Sequence, residues 1–268
     1  MQKHILITGS TDGIGKLVAL KLAQEGHHIY LHGRNQEKLD KVVASIKASS
    51  NNEQVKGFVA DFSDLDSVKQ MANKVIAELP QLDVLINNAG VFISQAVQNK
   101  AGLDLRLVVN YLAPYVLTNQ LLPLLAKGLG ARIINLSSAA QSTVSHKVLL
   151  GKETQAAQET YAQSKLALTM WSFHLANTLA GISVIAVNPG SLLNTKMAQE
   201  AYGQHWSSAD KGANILYDLA VSDKYQGVTG KYYNNDRGGF GKAHQDAYDD
   251  NAIKNLLHTT EEILSSNS

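Results

Sequence analysis

The stretch Thr8-Gly9-Ser10-Thr11-Asp12-Gly13-Ile14-Gly15 follows the apolar run His4-Ile5-Leu6-Ile7 and opens a segment, 13–25, in which Ile14, Leu17, Val18 and Leu22 recur at helical spacing. A buried strand, a turn with three glycines and a helix N-terminus, in that order, form a cradle for a phosphate. Amide N–H groups and the positive end of the helix dipole favour an anion there. A side chain at the glycines would keep a pyrophosphate away from the backbone, so the unit points to dinucleotide binding.

Working outward, the same alternation continues almost to the end of the chain. Strands are expected at 28–32, 55–60, 82–86, 132–136 and 182–187, with Tyr232 and Tyr233 in a short last strand. Helices are expected at 36–48, from Ser63 or Asp64 to just before Pro80, and at 161–179, 209–221 and 243–264. A long helix over about 102–127 carries Pro114 and Pro123 and is expected to bend or break. Short apolar runs alternating with helical stretches predict a parallel sheet covered on both faces. The fold class is therefore α/β. The 268 residues, with no repeat and no linker-like segment, read as a single doubly wound (Rossmann) domain over 1–268 with a mostly parallel seven-stranded sheet.

Composition removes several kinds of chemistry. There is no cysteine, hence no disulfide, thiolate nucleophile, iron–sulfur cluster or cysteine-bound zinc. The nine histidines are scattered without a ligand set, so no metal site is expected. Lys plus Arg number 24 against 23 Asp plus Glu, which gives no field for nucleic acid or an anionic membrane. The first strand begins at His4 and no apolar run reaches the roughly 20 residues of a membrane span, so a cytoplasmic location is expected.

The end of the second strand selects between NAD and NADP. An acidic residue there binds a ribose 2′-hydroxyl and repels a 2′-phosphate. This chain offers Leu31-His32-Gly33-Arg34-Asn35 and no carboxylate before Glu37. Arg34 can form a bidentate pair with a phosphate, so NADP is favoured, with NAD the alternative if Arg34 is only a solvated loop residue. Asp12 adds negative charge to the cradle and runs against that preference.

The glycine spacing is G-x-x-x-G-x-G, and the motifs after it fall at successive strand ends: Asp61, Asn87-Asn88-Ala89-Gly90, Asn110, Ser138, Tyr161 with Lys165, and Asn188-Pro189-Gly190. Over nearly the whole chain this series resembles the classical short-chain dehydrogenase/reductase (SDR) family. The resemblance implies that Gly9, Ser10, Thr11, Asp12, Gly13, Ile14 and Gly15 hold the pyrophosphate, and that Asp61 holds the adenine amino group with Phe62 beside the ring. The plain alternative for Asp61 is a helix cap. It further implies that Asn88, Ala89 and Gly90 let backbone pass close to the cofactor, that Asn87 stiffens the sheet, and that Pro189, Gly190 and Thr195 lie at the nicotinamide.

Tyr161 and Lys165 are four apart on a predicted helix and project from one face. A free tyrosine, with a pKa near about 10, is a poor base, but a nearby ammonium favours the phenolate and lets it exchange a proton with a carbonyl or an alcohol. Ser138, the second serine after the apolar strand, matches the family serine that donates to the substrate oxygen, with Ser137 the competitor. Asn110 resembles the family asparagine whose backbone carbonyl holds a water beside the lysine; the alternative is a packed amide. These implications make the chain an oxidoreductase interconverting a carbonyl and an alcohol with NADP. The alternatives are a reductase of an activated carbon–carbon double bond and a non-catalytic NADP-binding sensor.

Ser138 precedes Tyr161 by 23 positions, roughly ten more than is commonest in that branch. The inserted segment, about 140–160, and the closing Gly230-Lys231-Tyr232-Tyr233 resemble the retinol dehydrogenase-like subgroup. Residues 191–207, with Leu192, Leu193, Met197, Tyr202 and Trp206, are expected to form a substrate lid. A small-molecule substrate is the implied partner. A homodimer or homotetramer through the helices near Asn110 and Tyr161 is the implied assembly, unless the insertion blocks that surface.

Overall fold

In a computed structural model, which describes residues 1–203 and 207–266, eight strands form one sheet in the order β3-β2-β1-β4-β5-β6-β7-β8. They are β1 (His4–Ile7), β2 (His28–Gly33), β3 (Val55–Val59), β4 (Val84–Asn87), β5 (Arg132–Leu136), β6 (Ser183–Asn188), β7 (Lys231–Asn234) and β8 (Gly239–Gly241). The first seven are parallel, and β8 returns antiparallel to β7. Strand order reverses between β1 and β4, so a crevice opens there beyond the carboxyl ends of the strands. The glycine loop and the Asn87–Gly90 turn both empty into it.

The central strands are buried on both faces because helices cover each, which is why they are mostly apolar rather than alternating, with Asn87 and Asn135 as buried polar residues. On one face α1 (Gly13–Gln24), α2 (Gln36–Ser50) and α9 (Ala209–Val221) pack against Ile5, Ile7, Ile29, Ile86 and Ile134. On the other, α3 (Leu65–Glu78), α5 (Ala113–Leu125) and α7 (Ala157–Thr178) pack against Leu6, Leu85, Ile133 and Ala186. Side-chain caps set the helix starts: Asp12 for α1, Asn35 for α2 and Asp64 for α3. Asp64 thus takes the position that Ser63 shared in the sequence.

Two expectations change. The sheet has eight strands rather than seven, because the glycine-flanked triplet Gly239-Phe240-Gly241 reads as loop in sequence. It pairs with β7 as Phe240 packs edge-on to Tyr233 with ring centroids 5.2 Å apart. The long helix over 102–127 is three pieces: a helical turn, α4 (Leu105–Leu107), a π-helical turn, Val108–Leu112, and α5. Pro114 explains the change, since it cannot donate to the Asn110 carbonyl as an α-helix would require. The Ala113 N–H reaches back five residues to the Val108 carbonyl instead.

The C-terminal segment folds onto α5 and α7. Helix α10 (Asp250–Ser266) buries Ile253, Leu256 and Ile263 in that core. The Tyr111 hydroxyl pairs with Thr260 Oγ1 at 2.7 Å, Tyr115 donates to Glu261, and His146, in the short helix α6 (His146–Leu149), pairs with Thr259 at 2.8 Å. Tyr111 and Trp171 are closed off from solvent. The last helix thus covers part of α5 and α7 and bonds to His146 of the inserted segment. Leu256→Ala is expected to destabilise the protein by about 2–5 kcal/mol in urea unfolding, as for a fully buried leucine. A loss below about 1 kcal/mol would show that α10 is not part of the core.

Candidate active site

The cradle is built by close approach of two turns. Gly9 has φ +62° and a Cβ there would lie 2.7 Å from Ala89 Cα; one on Gly15 would lie 2.5 Å from Asn88 Nδ2. Only glycine fits at either position. Asn88 Nδ2 donates to the Thr8 and Gly9 carbonyls at 2.8 and 2.9 Å, while the Asn88 and Ala89 N–H groups both donate to Thr8 Oγ1. Ser10 Oγ donates to the Ile7 carbonyl and accepts from the His32 N–H at 2.9 Å. At Ile14 and Gly15 the first turn of α1 presents N–H groups that the helix itself does not satisfy. Gly13, Ile14 and Thr11 line the outer side, where a Cβ on Gly13 would meet Thr195 at 3.6 Å. The loop fits a pyrophosphate.

His32 is a determinant that the sequence motifs do not mark. Its ring is buried, accepts from the Gly9 N–H through Nδ1 at 3.0 Å, and donates from Nε2 to the Ala60 carbonyl at 3.0 Å. Donating at one nitrogen and accepting at the other requires the neutral imidazole. Burial pushes its pKa down to about 4, which keeps it neutral. It joins the glycine loop to the exit of β3. A histidine closing an otherwise apolar strand was the available signal.

Asp12 is paired. Its carboxylate accepts from the Gly13 N–H and from Lys38 Nζ, both at 2.9 Å. The Lys38 hydrogen bond is the main reason that its pKa lies below the usual carboxylate value. Lys38, in the first turn of α2, thus offsets the charge that argued against a phosphate in sequence. Arg34, between the end of β2 and the start of α2, is exposed.

At the adenine end, Asp61 Oδ1 accepts from the Ser63 N–H and hydroxyl at 2.9 and 2.8 Å and is exposed. It caps its own turn, not α3. The Phe62 ring is buried and stacks on His32 at 4.1 Å, so it faces inward rather than lying open to a base. Asn87 donates to Asn135 Oδ1 and Thr118 Oγ1, and Asn135 donates to Ser172. That buried chain ties β4, β5, α5 and α7 together, which is the stiffening the resemblance implied.

Lys165 is buried on α7 and donates to the Leu136 carbonyl at the end of β5 at 2.8 Å. Burial lowers its pKa to about 8. The Nζ lies 5.6 Å from the centre of the Tyr161 ring, which Phe92 meets edge-on at 4.7 Å. Gly90 is the meeting point: a Cβ there would be 3.4 Å from Asn110 Oδ1 and 3.6 Å from both Lys165 Nζ and Met197 Cε. The Asn110 side chain is a packed amide, bonded to both polar groups of Val91 and to Ser164 Oγ. Its carbonyl is the one that Pro114 leaves without an α-helical donor. The two serines separate clearly. Ser137 is buried and its hydroxyl bonds to Thr169 Oγ1 at 2.6 Å and the Lys165 carbonyl at 3.2 Å. Ser138 is half-buried, and its Oγ accepts from the Ala140 N–H at 3.1 Å.

The loop leaving β6 holds a second feature that the motifs do not mark. Asp236, between β7 and β8, accepts from the Ser191 N–H and hydroxyl and from Asn188 Nδ2, while Asn235 donates to the Pro189 carbonyl. These bonds hold Pro189 and Gly190 under the crevice. Thr195 caps helix α8 (Lys196–Tyr202) by accepting from the Ala198 N–H. Trp206 and the Tyr202 side chain, both expected in the lid, lie outside the described residues. Among those residues, no helix is long and apolar enough to cross a membrane, and no group of three or more His, Asp or Glu is gathered for a metal ion.

Comparison with known proteins agrees with this geometry. Human polyprenol dehydrogenase is 32% identical over 254 residues, 87% of this chain and 76% of its own, and mouse retinol dehydrogenase 12 is 31% identical over 244 residues, 86% and 77%. A protein described as a short chain dehydrogenase from Shigella flexneri, complexed with NADP, superposes with a TM-score of 0.71 at 28% identity, over 87% of this chain and 97% of that one. An Escherichia coli counterpart with NADPH gives 0.72 at 27%, over 87% and 96%. A family model described as short chain dehydrogenase matches residues 3–206. With its glycine loop, strand order and Tyr-Lys helix in place, the chain belongs to the short-chain dehydrogenase family and, within it, to the retinol dehydrogenase-like group.

Proposed function

We propose that this protein is an NADP-dependent oxidoreductase that interconverts a carbonyl and an alcohol. The observation that carries the proposal is the placement of a buried Lys165, a half-buried Tyr161 and a half-buried Ser138 at the same strand ends that carry the glycine cradle. The nicotinamide, when bound, supplies or accepts the hydride. Tyr161 gives a proton to the carbonyl oxygen or takes it from the alcohol. The Lys165 ammonium, close to the phenol ring and shielded from water, favours the phenolate and so brings the tyrosine toward working pH. Ser138 donates to the substrate oxygen and stabilises the charge that grows on it. Asn110 contributes its carbonyl, beside Lys165, to the path by which the proton is replaced. Relatives named as retinol and polyprenol dehydrogenases support alcohol chemistry over reduction of a carbon–carbon double bond.

Arg34 would hold a 2′-phosphate and so favours NADP over NAD, and Lys38, paired with Asp12, removes the negative charge that would oppose it. Gly9, Ser10, Thr11, Asp12, Gly13, Ile14 and Gly15 hold the pyrophosphate in this proposal. Asn88, Ala89 and Gly90 line the opposite wall, with Asp61 at the adenine and Pro189, Gly190 and Thr195 at the nicotinamide. A cytoplasmic setting belongs to the same proposal and is tested by cell fractionation.

Arg34→Asp is expected to weaken NADPH binding on the order of 100-fold and NADH binding less than about 3-fold, read by fluorescence titration. Equal losses would remove the assignment of NADP. His32→Leu leaves the Gly9 N–H and Ala60 carbonyl unpaired, so NADPH affinity is expected to fall about 10-fold or more, with partial recovery in His32→Gln. Unchanged affinity in His32→Leu would separate His32 from the cradle. Tyr161→Phe is expected to lower NADPH-dependent reduction of an aldehyde or ketone panel by on the order of 100-fold or more while NADPH still binds. Turnover near that of the wild type would exclude Tyr161 as the proton donor.

A further inference from the structure

Two features that set this chain apart in sequence, the inserted segment after Ser138 and the closing Gly230-Lys231-Tyr232-Tyr233, meet at one atom. The Tyr232 hydroxyl donates to the Ser138 carbonyl at 2.9 Å, and Gln141 Nε2, from the start of the insertion, donates to the same carbonyl at 2.9 Å. Gln141 is held in turn, because its Oε1 accepts from the His244 N–H at 3.1 Å. The register explains how a residue on β7 reaches the end of β5. Tyr232 pairs with Ala186 on β6, and Ala186 pairs with Asn135 on β5. The small side chain of Ala186 leaves room for the phenol to lie across β6 on that face.

We propose that Tyr232 is a positioning residue for the reaction: with Gln141 it fixes the Ser138 peptide so that the Ser138 hydroxyl points at the substrate oxygen. A carbonyl has two lone pairs, and here both receive a donor, so the plane of the peptide after Ser138 cannot rotate without losing one. The Ser138 Oγ already accepts from the Ala140 N–H. The hydroxyl hydrogen therefore remains for the substrate, in a direction set by that turn. Tyr232 is buried, and burial raises its pKa, so it stays a donor over the working pH range. The proposal rests on the assignment of Ser138 in the preceding section.

Tyr232→Phe removes one hydroxyl and nothing else. Its control is Tyr233→Phe, since Tyr233 projects to the opposite face of the sheet and packs on Tyr225 and Phe240. With a carbonyl compound that the wild type reduces, Tyr232→Phe is expected to lower kcat about 5- to 20-fold, the loss of one such hydrogen bond. The Kd for NADPH should stay within about 2-fold and the pH profile should not shift, because Lys165 and Tyr161 are untouched. Tyr233→Phe should leave kcat within about 2-fold, and Gln141→Ala added to Tyr232→Phe should approach Ser138→Ala. Should Tyr232→Phe not fold, Gln141→Ala alone carries the same expectation.

Unchanged kcat in Tyr232→Phe overturns the proposal, as does a loss that follows the fall in Tm equally in both tyrosine variants. A wild type that binds NADPH but reduces no carbonyl overturns the oxidoreductase reading and this role with it. Turnover in the wild type with kcat unmoved in the variant overturns this role alone.

Discussion

The site depends on one approach of backbone to backbone, where the glycine loop leaving β1 passes the turn leaving β4. A methyl group at Gly9 would sit 2.7 Å from Ala89 Cα, well inside contact distance. Asn88 closes the gap with two hydrogen bonds to loop carbonyls. Because β1 and β4 are the strands between which the order reverses, the same contact narrows the crevice where a dinucleotide lies. Strand order, glycine placement and the Asn88 amide are thus one constraint. None of the three works without the other two.

From that seam, polar groups run inward through a core that would otherwise exclude them. Asn87, Asn135 and Ser172 pass hydrogen bonds from β4 to α7, and α7 carries Tyr161 and Lys165. The Asn87 nitrogen and both polar groups of Asn135 are paired, while Asn87 Oδ1 is buried without a partner among the described residues; a group left unpaired in such a place costs about 1–3 kcal/mol, so the bonds that are made hold α7 against the strand ends. Lys165 is the exception by design. It donates to the Leu136 carbonyl, and burial works against its charge. An ammonium in that condition gains from any negative charge that develops beside it, and the centre of the Tyr161 ring lies 5.6 Å away.

Most of the fold was legible because each strand end carries a short motif at a place where chemistry limits the residue. Gly9, Gly15 and Asn88 are of that kind, since their identities follow from close approach. Ser138 was favoured over Ser137 on the family pattern alone, and the difference in their surroundings comes from the fold: the Ser137 hydroxyl is buried against Thr169 of α7, while Ser138 is half-buried with its Oγ accepting from the Ala140 N–H. His32, Lys38, Tyr232, Gln141 and Asp236 were not singled out as site residues for a related reason. His32, Lys38, Tyr232 and Asp236 act through partners 23 to 94 residues distant, and Gln141, three positions from Ser138, is held by His244, 103 residues distant; spacing along the chain carries no trace of such pairings. The break in the long helix was expected from Pro114 and Pro123. That it takes the form of a π-helical turn at Asn110 follows only from the carbonyl that Pro114 leaves without its donor.

The segment that leaves β6 shows the same logic at the edge of the crevice. Its root is held twice: Ser191 by the Asp236 carboxylate, and Leu193 by packing in the hollow beside Gly190 and Gly212. Between them Leu192 has φ +46°, a conformation that a leucine adopts only when its neighbours impose it. Beyond that strained link the Asn194 N–H donates to the Ser207 carbonyl at 2.8 Å, Thr195 lies near Gly13 and Met197 near Gly90. Pro189 and Gly190 are fixed separately, by Asn235 and by the Asn188 side chain, so the end of β6 keeps its place independently of the contacts that Thr195 and Met197 make.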